Sequence, residues 1–118
     1  MAERRQMGAL EDEIMTYLWA VGQPVTPAQV HKAVAPELAY TTVMTILTRL
    51  WQKNRLTRER AGRAYEYLPV RTEAEDRAAA MQDTLADAGD RAAVLSSFVD
   101  ALNAKDAMLL QKLLEQDG

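Results

Sequence analysis

The chain has 118 residues, of which 48% are hydrophobic and 26% are charged, and its formal net charge at pH 7 is −3. The absence of cysteine excludes a disulfide framework, a thiol nucleophile and a thiolate metal site, and the single histidine argues against a metal site or a Ser/His/Asp triad. No apolar stretch approaches the roughly 20 residues of a membrane span. We therefore expect a cytoplasmic protein that holds no metal or cofactor and does not insert into a membrane.

The charge is distributed unevenly along the chain. Residues 1–71 carry ten basic and seven acidic side chains, whereas residues 72–118 carry four and ten. Within the first part, residues 49–63 contain six basic side chains and only one acidic side chain, which suits a polyanionic ligand, although a solvated surface explains the charge alone equally well. The change of sign near Arg71 predicts one domain at 1–71 and a second at 72–118.

Three helices are predicted in the first domain. The first has apolar residues at helical spacing from Leu10 to Val21, and the second begins at a capping box, Thr26 to Gln29, and stops before Pro36. The third covers about residues 40–54, and its apolar stripe consists of Val43, Ile46, Leu47, Leu50 and Trp51. Both tryptophans, Trp19 and Trp51, are accordingly expected in the core.

Two short strands are predicted next, at Leu56–Arg60 and Tyr65–Leu68, with Gly62 in the turn between them. Three helices followed by a β-hairpin is the order of a winged helix-turn-helix. Three further helical patterns follow, the first behind a capping box at Thr72. The predicted fold is therefore mainly α with a small β-hairpin: a winged helix-turn-helix followed by a C-terminal helical dimerisation region.

The dimerisation region is predicted from the shortness of its helices. Three short helices cannot bury their own apolar stripes, and pairing with a second copy about a two-fold axis covers them. The residues expected in this homodimer interface are Met81, Leu85, Leu95, Phe98, Val99, Leu102, Leu109, Leu110, Leu113 and Leu114.

The outward face of the third helix is rich in threonine, a residue of mediocre helix propensity. Hydroxyl and methyl groups beside Arg and Gln suit the base edges of a major groove, whereas the alternative is a threonine-tolerant surface helix. The neighbouring hairpin carries arginines suited to phosphates or the minor groove, although an edge hairpin also needs solubilising charge. The predicted DNA-binding residues are Thr41, Thr42, Thr45, Thr48, Arg49, Gln52, Arg58, Arg60 and Arg63.

Other functions remain open at this point. His31 is expected to be a surface or half-buried side chain rather than a ligand, and no phosphate-binding loop or nucleophile constellation indicates an enzyme. A winged helix can also serve as a protein-interaction module without specific DNA binding, or can bind RNA. The outward threonines and the arginine cluster favour DNA, because protein-docking faces prefer aromatic and aliphatic anchors.

The run from Tyr40 to Leu50, then Lys53-Asn54, then the segment from Gly62 to Pro69, resembles the penicillinase repressor (BlaI/MecI) family. The resemblance extends over nearly the whole chain and implies a homodimer that binds a double-stranded DNA operator dyad and represses by occlusion. It places recognition residues at Thr41, Thr42, Thr45 and Arg49 and a wing contact at Arg63. Some members have Lys at the place of Thr41 and a polar or basic residue at the place of Met44, which implies a different base readout here.

The resemblance also implies a mode of regulation. In members that control β-lactam-response genes, a membrane sensor protease leads to cleavage of the dimerisation region at an Asn–Phe bond. The matching position is Ser97–Phe98, where Phe is retained and Asn is not. The copper-responsive branch senses metal through C-terminal cysteines, which this chain lacks.

Overall fold

The structure is a computed structural model that describes residues 7–116. Within that range it contains six helices and one antiparallel pair of strands, so the predicted fold class is confirmed. The elements are α1 (Met7–Val21), α2 (Pro27–Val34), α3 (Tyr40–Gln52), β1 (Leu56–Ala61), β2 (Ala64–Pro69), α4 (Glu73–Ala86), α5 (Arg91–Ala101) and α6 (Ala104–Gln116). The chain divides into two compact units at the Arg77–Ala78 bond, inside α4.

The helix starts follow the capping signals in the sequence. At α2, the Thr26 N–H donates to Gln29 Oε1 at 2.8 Å, and the Gln29 N–H donates to Thr26 Oγ1 at 3.3 Å. The same reciprocal pair opens α4, where the Thr72 N–H donates to Glu75 Oε1 at 3.0 Å and the Glu75 N–H donates to Thr72 Oγ1 at 3.1 Å. Both predicted capping boxes are confirmed, and each satisfies N–H groups that a helix start leaves unpaired.

The core of the first unit is formed by the apolar faces of α1, α2 and α3, and the hairpin adds Leu56 and Tyr67 to it. Tyr67 of β2 is 1% exposed, and its backbone forms an isolated antiparallel bridge to Val25 before α2, a pairing that the sequence patterns did not predict. Trp19 is partly buried against this core, and its Nε1 donates to the Arg71 carbonyl at 3.0 Å. The expectation that Trp51 is a core residue is wrong, because its side chain is 37% exposed at the end of α3.

The hairpin is a regular two-stranded wing, defined here as residues 56–69. Ala61 pairs with Ala64, so the connection is the two-residue turn Gly62-Arg63, and Gly62 takes a φ of +68° that glycine adopts without strain. In this register Arg58 lies opposite Tyr67 and Arg60 opposite Tyr65. Because side chains alternate along a strand, these four side chains share one face of the wing, the same face as Leu56.

The second unit consists of the end of α4 with α5 and α6. Asp90 caps α5 by accepting from the Ala93 N–H at 3.0 Å, and Asn103 accepts from the Asp106 N–H at 2.8 Å before α6. Neither helix contains a buried residue in the range that the structure describes. The single chain therefore leaves both apolar stripes in contact with solvent.

Exposure of the predicted interface residues is substantial. Seven of the ten predicted residues are exposed, from Phe98 at 44% to Leu114 at 70%. The members of this exposed group are Met81, Leu95, Phe98, Val99, Leu109, Leu113 and Leu114. The three remaining predicted residues, Leu85, Leu102 and Leu110, are half-buried.

Candidate nucleic-acid interface

The orientation of α3 is fixed by four side chains that are fully buried. Val43, Ile46, Leu47 and Leu50 are each 0% exposed. At 100° per residue, this stripe turns the opposite side of the helix to solvent. The side chains there line a shallow, open depression, which we call the α3 face: Thr41, Met44, Thr45, Thr48, Arg49 and Gln52. Of the residues predicted to face outward from α3, Thr41, Thr45, Arg49 and Gln52 are exposed. Thr48, on the same face, and Thr42, beside it, are half-buried.

The turn that leads into α3 is held by His31. Its Nε2 lies 2.6 Å from the Leu38 carbonyl oxygen, to which it donates, and its ring packs edge-on against Tyr40 with 5.9 Å between ring centroids. His31 is half-buried, in agreement with the sequence-based expectation. These contacts join α2 to the start of α3 and so position the α3 face.

Two side chains at the centre of the α3 face differ from what sequence reasoning assumed. Thr45 Oγ1 donates to the Thr41 carbonyl oxygen at 2.9 Å, so its hydroxyl hydrogen is already used inside the helix. Met44 is 38% exposed and lines the depression, although it was not among the predicted site residues. Its helical position, three residues after Thr41 and four before Thr48, was the available signal, but its apolar character argued against an outward face.

Three members of the basic cluster at 49–63 have partners within the chain. Lys53 Nζ lies 3.0 Å from Glu11 Oε1, and Arg55 Nη2 lies 2.6 Å from Asp76 Oδ2. The Arg58 guanidinium stacks over two rings, with its Cζ 3.6 Å from the Trp51 centroid and 4.1 Å from the Tyr65 centroid. These three residues consequently serve intramolecular contacts in the free protein.

The remaining three cations of the cluster, Arg49, Arg60 and Arg63, are exposed and form no ion pair with any residue in the described range. Arg49 lies on the α3 face, Arg63 lies at the tip of the wing, and Arg60 lies beside Tyr65 at 5.7 Å from its centroid. The α3 helix itself contains no acidic residue. The surface from the α3 face to the wing tip therefore presents positive charge and polar groups without a carboxylate on the helix.

The opposite face of the wing has a different character. Glu59 lies directly across from Glu66 in the strand register, on the face that carries neither Arg58 nor Arg60. Like charges in this arrangement repel each other and also repel a polyanion. The two faces of the wing therefore differ. The arginine-bearing face packs on the core at Leu56 and Tyr67, so only its outer end, at the exposed Arg60, and the tip of the wing suit nucleic acid.

These elements define a winged helix-turn-helix protein of the DNA-binding class. A short helix and a tight turn precede the helix with the buried stripe, and a basic hairpin follows it. The chain belongs to the penicillinase repressor family, whose model matches residues 7–116. The predicted family is confirmed, and membership makes the chain a DNA-binding transcriptional regulator and not an enzyme.

The chain is also similar to individual regulators in sequence and to solved structures in fold. The chain is 41% identical over 121 residues to "Transcriptional regulator BlaI" of two Mycobacterium tuberculosis strains, which covers 98% of this chain and 88% of the relative. Among solved structures, a transcriptional regulator from Thermotoga maritima is 23% identical with a TM-score of 0.48, covering 92% of this chain and 72% of that one. MepR, a transcription regulator of the Staphylococcus aureus multidrug efflux pump MepA, is 16% identical with a TM-score of 0.48, covering 91% and 74%. No helix within residues 7–116 combines the length and the apolarity that crossing a membrane requires.

Proposed function

We propose that the chain is a cytoplasmic homodimeric repressor that places α3 in the major groove of each half of a double-stranded DNA operator dyad. The observation that carries this proposal is the α3 face, which presents Arg49, Gln52 and threonines, contains no carboxylate, and is held outward by a buried stripe. Arg49 and Gln52 can each make bidentate hydrogen bonds to a base, to guanine and adenine respectively. Thr41 and Thr48 on the same face, and Thr42 beside it, offer further hydroxyl groups.

The wing would contact the DNA backbone beside the α3 face. Arg60 and Arg63 are exposed and project from the arginine-bearing face and the tip, so phosphate contacts are available to both. A narrow minor groove attracts arginine, and Arg63 in its two-residue turn suits insertion there. Arg58 belongs to the same face, but its stacking on two rings supports a role inside the protein.

Dimerisation through α5 and α6 would supply a second α3 helix for the other half of the operator. Both helices expose apolar stripes, and a two-fold interface covers the same stripe on each partner. Residues 72–118 hold an excess of six acidic over basic side chains, which keeps this region away from phosphates. An operator with two-fold symmetric half-sites is the expected consequence.

Release from DNA by a membrane sensor protease would require a cut in the dimerisation region. Ser97 and Phe98 lie inside α5, and both side chains are exposed. A peptide bond in a helix must leave that helix to enter a protease site, so cleavage depends on local unfolding of α5. A helix with no buried residue in the free chain opens readily unless the partner protomer covers it.

Selection from a random-sequence duplex library tests the proposal. The full-length protein is expected to enrich a motif of two inverted half-sites, and a reporter promoter overlapping that motif is expected to fall in expression when the protein is made. Arg49→Ala should abolish the enrichment, whereas Lys112→Ala, in the acidic C-terminal region, should leave it intact. Absence of any enriched motif, together with co-purification of a stable protein partner, would instead support a protein-interaction module.

A further inference from the structure

The centre of the α3 face offers methyl groups where the sequence suggested hydroxyls. The Thr45 hydroxyl donates its hydrogen to the Thr41 carbonyl oxygen at 2.9 Å, one helical turn back. The hydroxyl oxygen can still accept a hydrogen bond but can no longer donate one, so Thr45 offers a ligand one acceptor and its γ-methyl group. Met44 lies next to it, 38% exposed, with an unbranched apolar side chain.

We propose that Met44 and Thr45 recognise the C5-methyl groups of thymine, so that each operator half-site contains thymine where it meets the centre of the α3 face. This inference rests on the proposed DNA-binding function and adds its base preference. In the major groove, thymine is the base that presents an apolar group, and apolar side chains and threonine methyls are its natural contacts. Methionine adapts its shape to such a contact more easily than a branched side chain.

The order of polar and apolar side chains along α3 supports this assignment. Arg49 and Gln52 lie about one and two turns beyond Thr45, and both line the same depression. Their hydrogen-bonding groups suit purine edges, which have acceptors and donors but no methyl group. A half-site read by this face therefore combines thymine near Met44 and Thr45 with purines near the C-terminal end of α3.

The competing explanation is that Thr45 reads a base through its hydroxyl, either by accepting a hydrogen bond where it lies or by donating one after leaving the Thr41 carbonyl. Two substitutions separate the explanations. Thr45→Val keeps a methyl at the same place and removes the hydroxyl, whereas Thr45→Ser keeps the hydroxyl and removes the methyl. Methyl recognition predicts that the valine variant binds like the wild type and the serine variant binds more weakly.

The experiment uses two random duplex libraries, one synthesised with thymine and one with uracil, which lacks only the C5-methyl group. Wild-type protein is expected to enrich a dyad from the thymine library and to lose its preference at the central positions in the uracil library. In titrations of the selected duplex, replacing one such thymine by uracil in both half-sites should weaken binding roughly fifteenfold, since one buried methyl corresponds to roughly a fourfold change. Met44→Gln should make the thymine and uracil duplexes equal at its position.

The outcomes are separable. If no motif is enriched from the thymine library, the proposed function fails. If a motif is enriched but uracil changes affinity at no position, or if Thr45→Ser binds normally while Thr45→Val does not, DNA binding stands and methyl recognition is overturned. Replacement of thymine by uracil outside the footprint is the control and should leave the affinity unchanged.

Discussion

The guanidinium carbon of Arg58 in the wing lies 3.6 Å from the ring centroid of Trp51, a residue in the last turn of α3. Tyr65 covers the other side at 4.1 Å, and Arg58 Nη1 is 3.5 Å from the Tyr67 hydroxyl. A planar guanidinium stacks in this way and a lysine ammonium does not. The stack therefore links the wing to α3 and accounts for a tryptophan that is left partly exposed.

Arg58→Lys is expected to weaken DNA binding about fivefold to tenfold, because the charge is kept but the stack that aligns the wing is lost. Titration of the selected duplex measures this, with Arg60→Lys as the matched control, since Arg60 is exposed on the same face and a lysine can still contact a phosphate. Equal affinities for the Arg58→Lys variant and the wild type would show that Arg58 acts by charge alone.

Asp76 and Arg55 join the first turns of α4 to the connection after α3. Asp76 is 6% exposed, and Arg55 approaches it with both Nε and Nη2. Asp76→Asn should lower the free energy of unfolding by about 2 to 3 kcal/mol, because it leaves a half-buried guanidinium without its counter-charge. Urea denaturation measures the change.

The exposed pair between Glu73 and Arg77, at 3.6 Å on the same helix, supplies the control. Glu73→Gln should change the free energy of unfolding by less than about 0.5 kcal/mol. Similar losses in the two variants would contradict the special role of the Asp76 pair.

The free energy of unfolding depends on pH through the carboxyl group of Glu75. The Thr72 backbone N–H and then the Thr72 hydroxyl hold the pKa of this carboxyl below its ordinary value. Desolvation opposes them, and the charge of Arg71 adds a smaller lowering effect. A carboxyl with a lowered folded-state pKa stabilises the fold fully above 4.5 and loses that contribution as the pH falls through the folded value. Glu75→Gln should therefore be less stable than the wild type near neutral pH, and the difference should shrink in acid. A difference that stays constant down to about pH 3 in denaturation experiments would be inconsistent with this pKa.

Leu109 in α6 tests the proposed dimer. It is 56% exposed in the single chain, and a carboxylate at this position would be buried in an apolar interface. Leu109→Asp should convert a sedimenting dimer into a monomer at micromolar concentration. Gln111→Asp adds the same charge on another side of α6 and should remain dimeric. A monomeric wild type would contradict the dimer directly.

Local signals in the sequence predicted most of the fold. The capping boxes at Thr26 and Thr72 mark helix starts because their hydrogen bonds join residues three apart, and Gly62 marks the turn for the same local reason. The antiparallel bridge between Val25 and Tyr67 was not predicted, because it joins residues distant in sequence.

The candidate site was predicted less completely, for a similar reason. Helical periodicity located the α3 face, but it could not reveal that Arg58 stacks on Trp51 or that Arg55 pairs with Asp76, since both contacts depend on tertiary packing. The basic cluster consequently suggested six available cations, and the structure leaves three of them without an ion pair in the described range. The hydrogen bond of the Thr45 hydroxyl was also not predicted, although it is local, because it reaches a carbonyl only four residues back.

The salt dependence of DNA binding tests the central proposal most directly. In the proposed dimer, Arg60 and Arg63 of each protomer contact phosphates, and four such contacts predict a slope of about −4 for the logarithm of affinity against the logarithm of salt concentration. Arg63→Ala should make that slope shallower by roughly 2, and the selected duplex should bind more tightly than a scrambled one at every salt concentration. A slope near zero, or equal affinity for the selected and scrambled duplexes, would contradict operator binding through α3 and the wing.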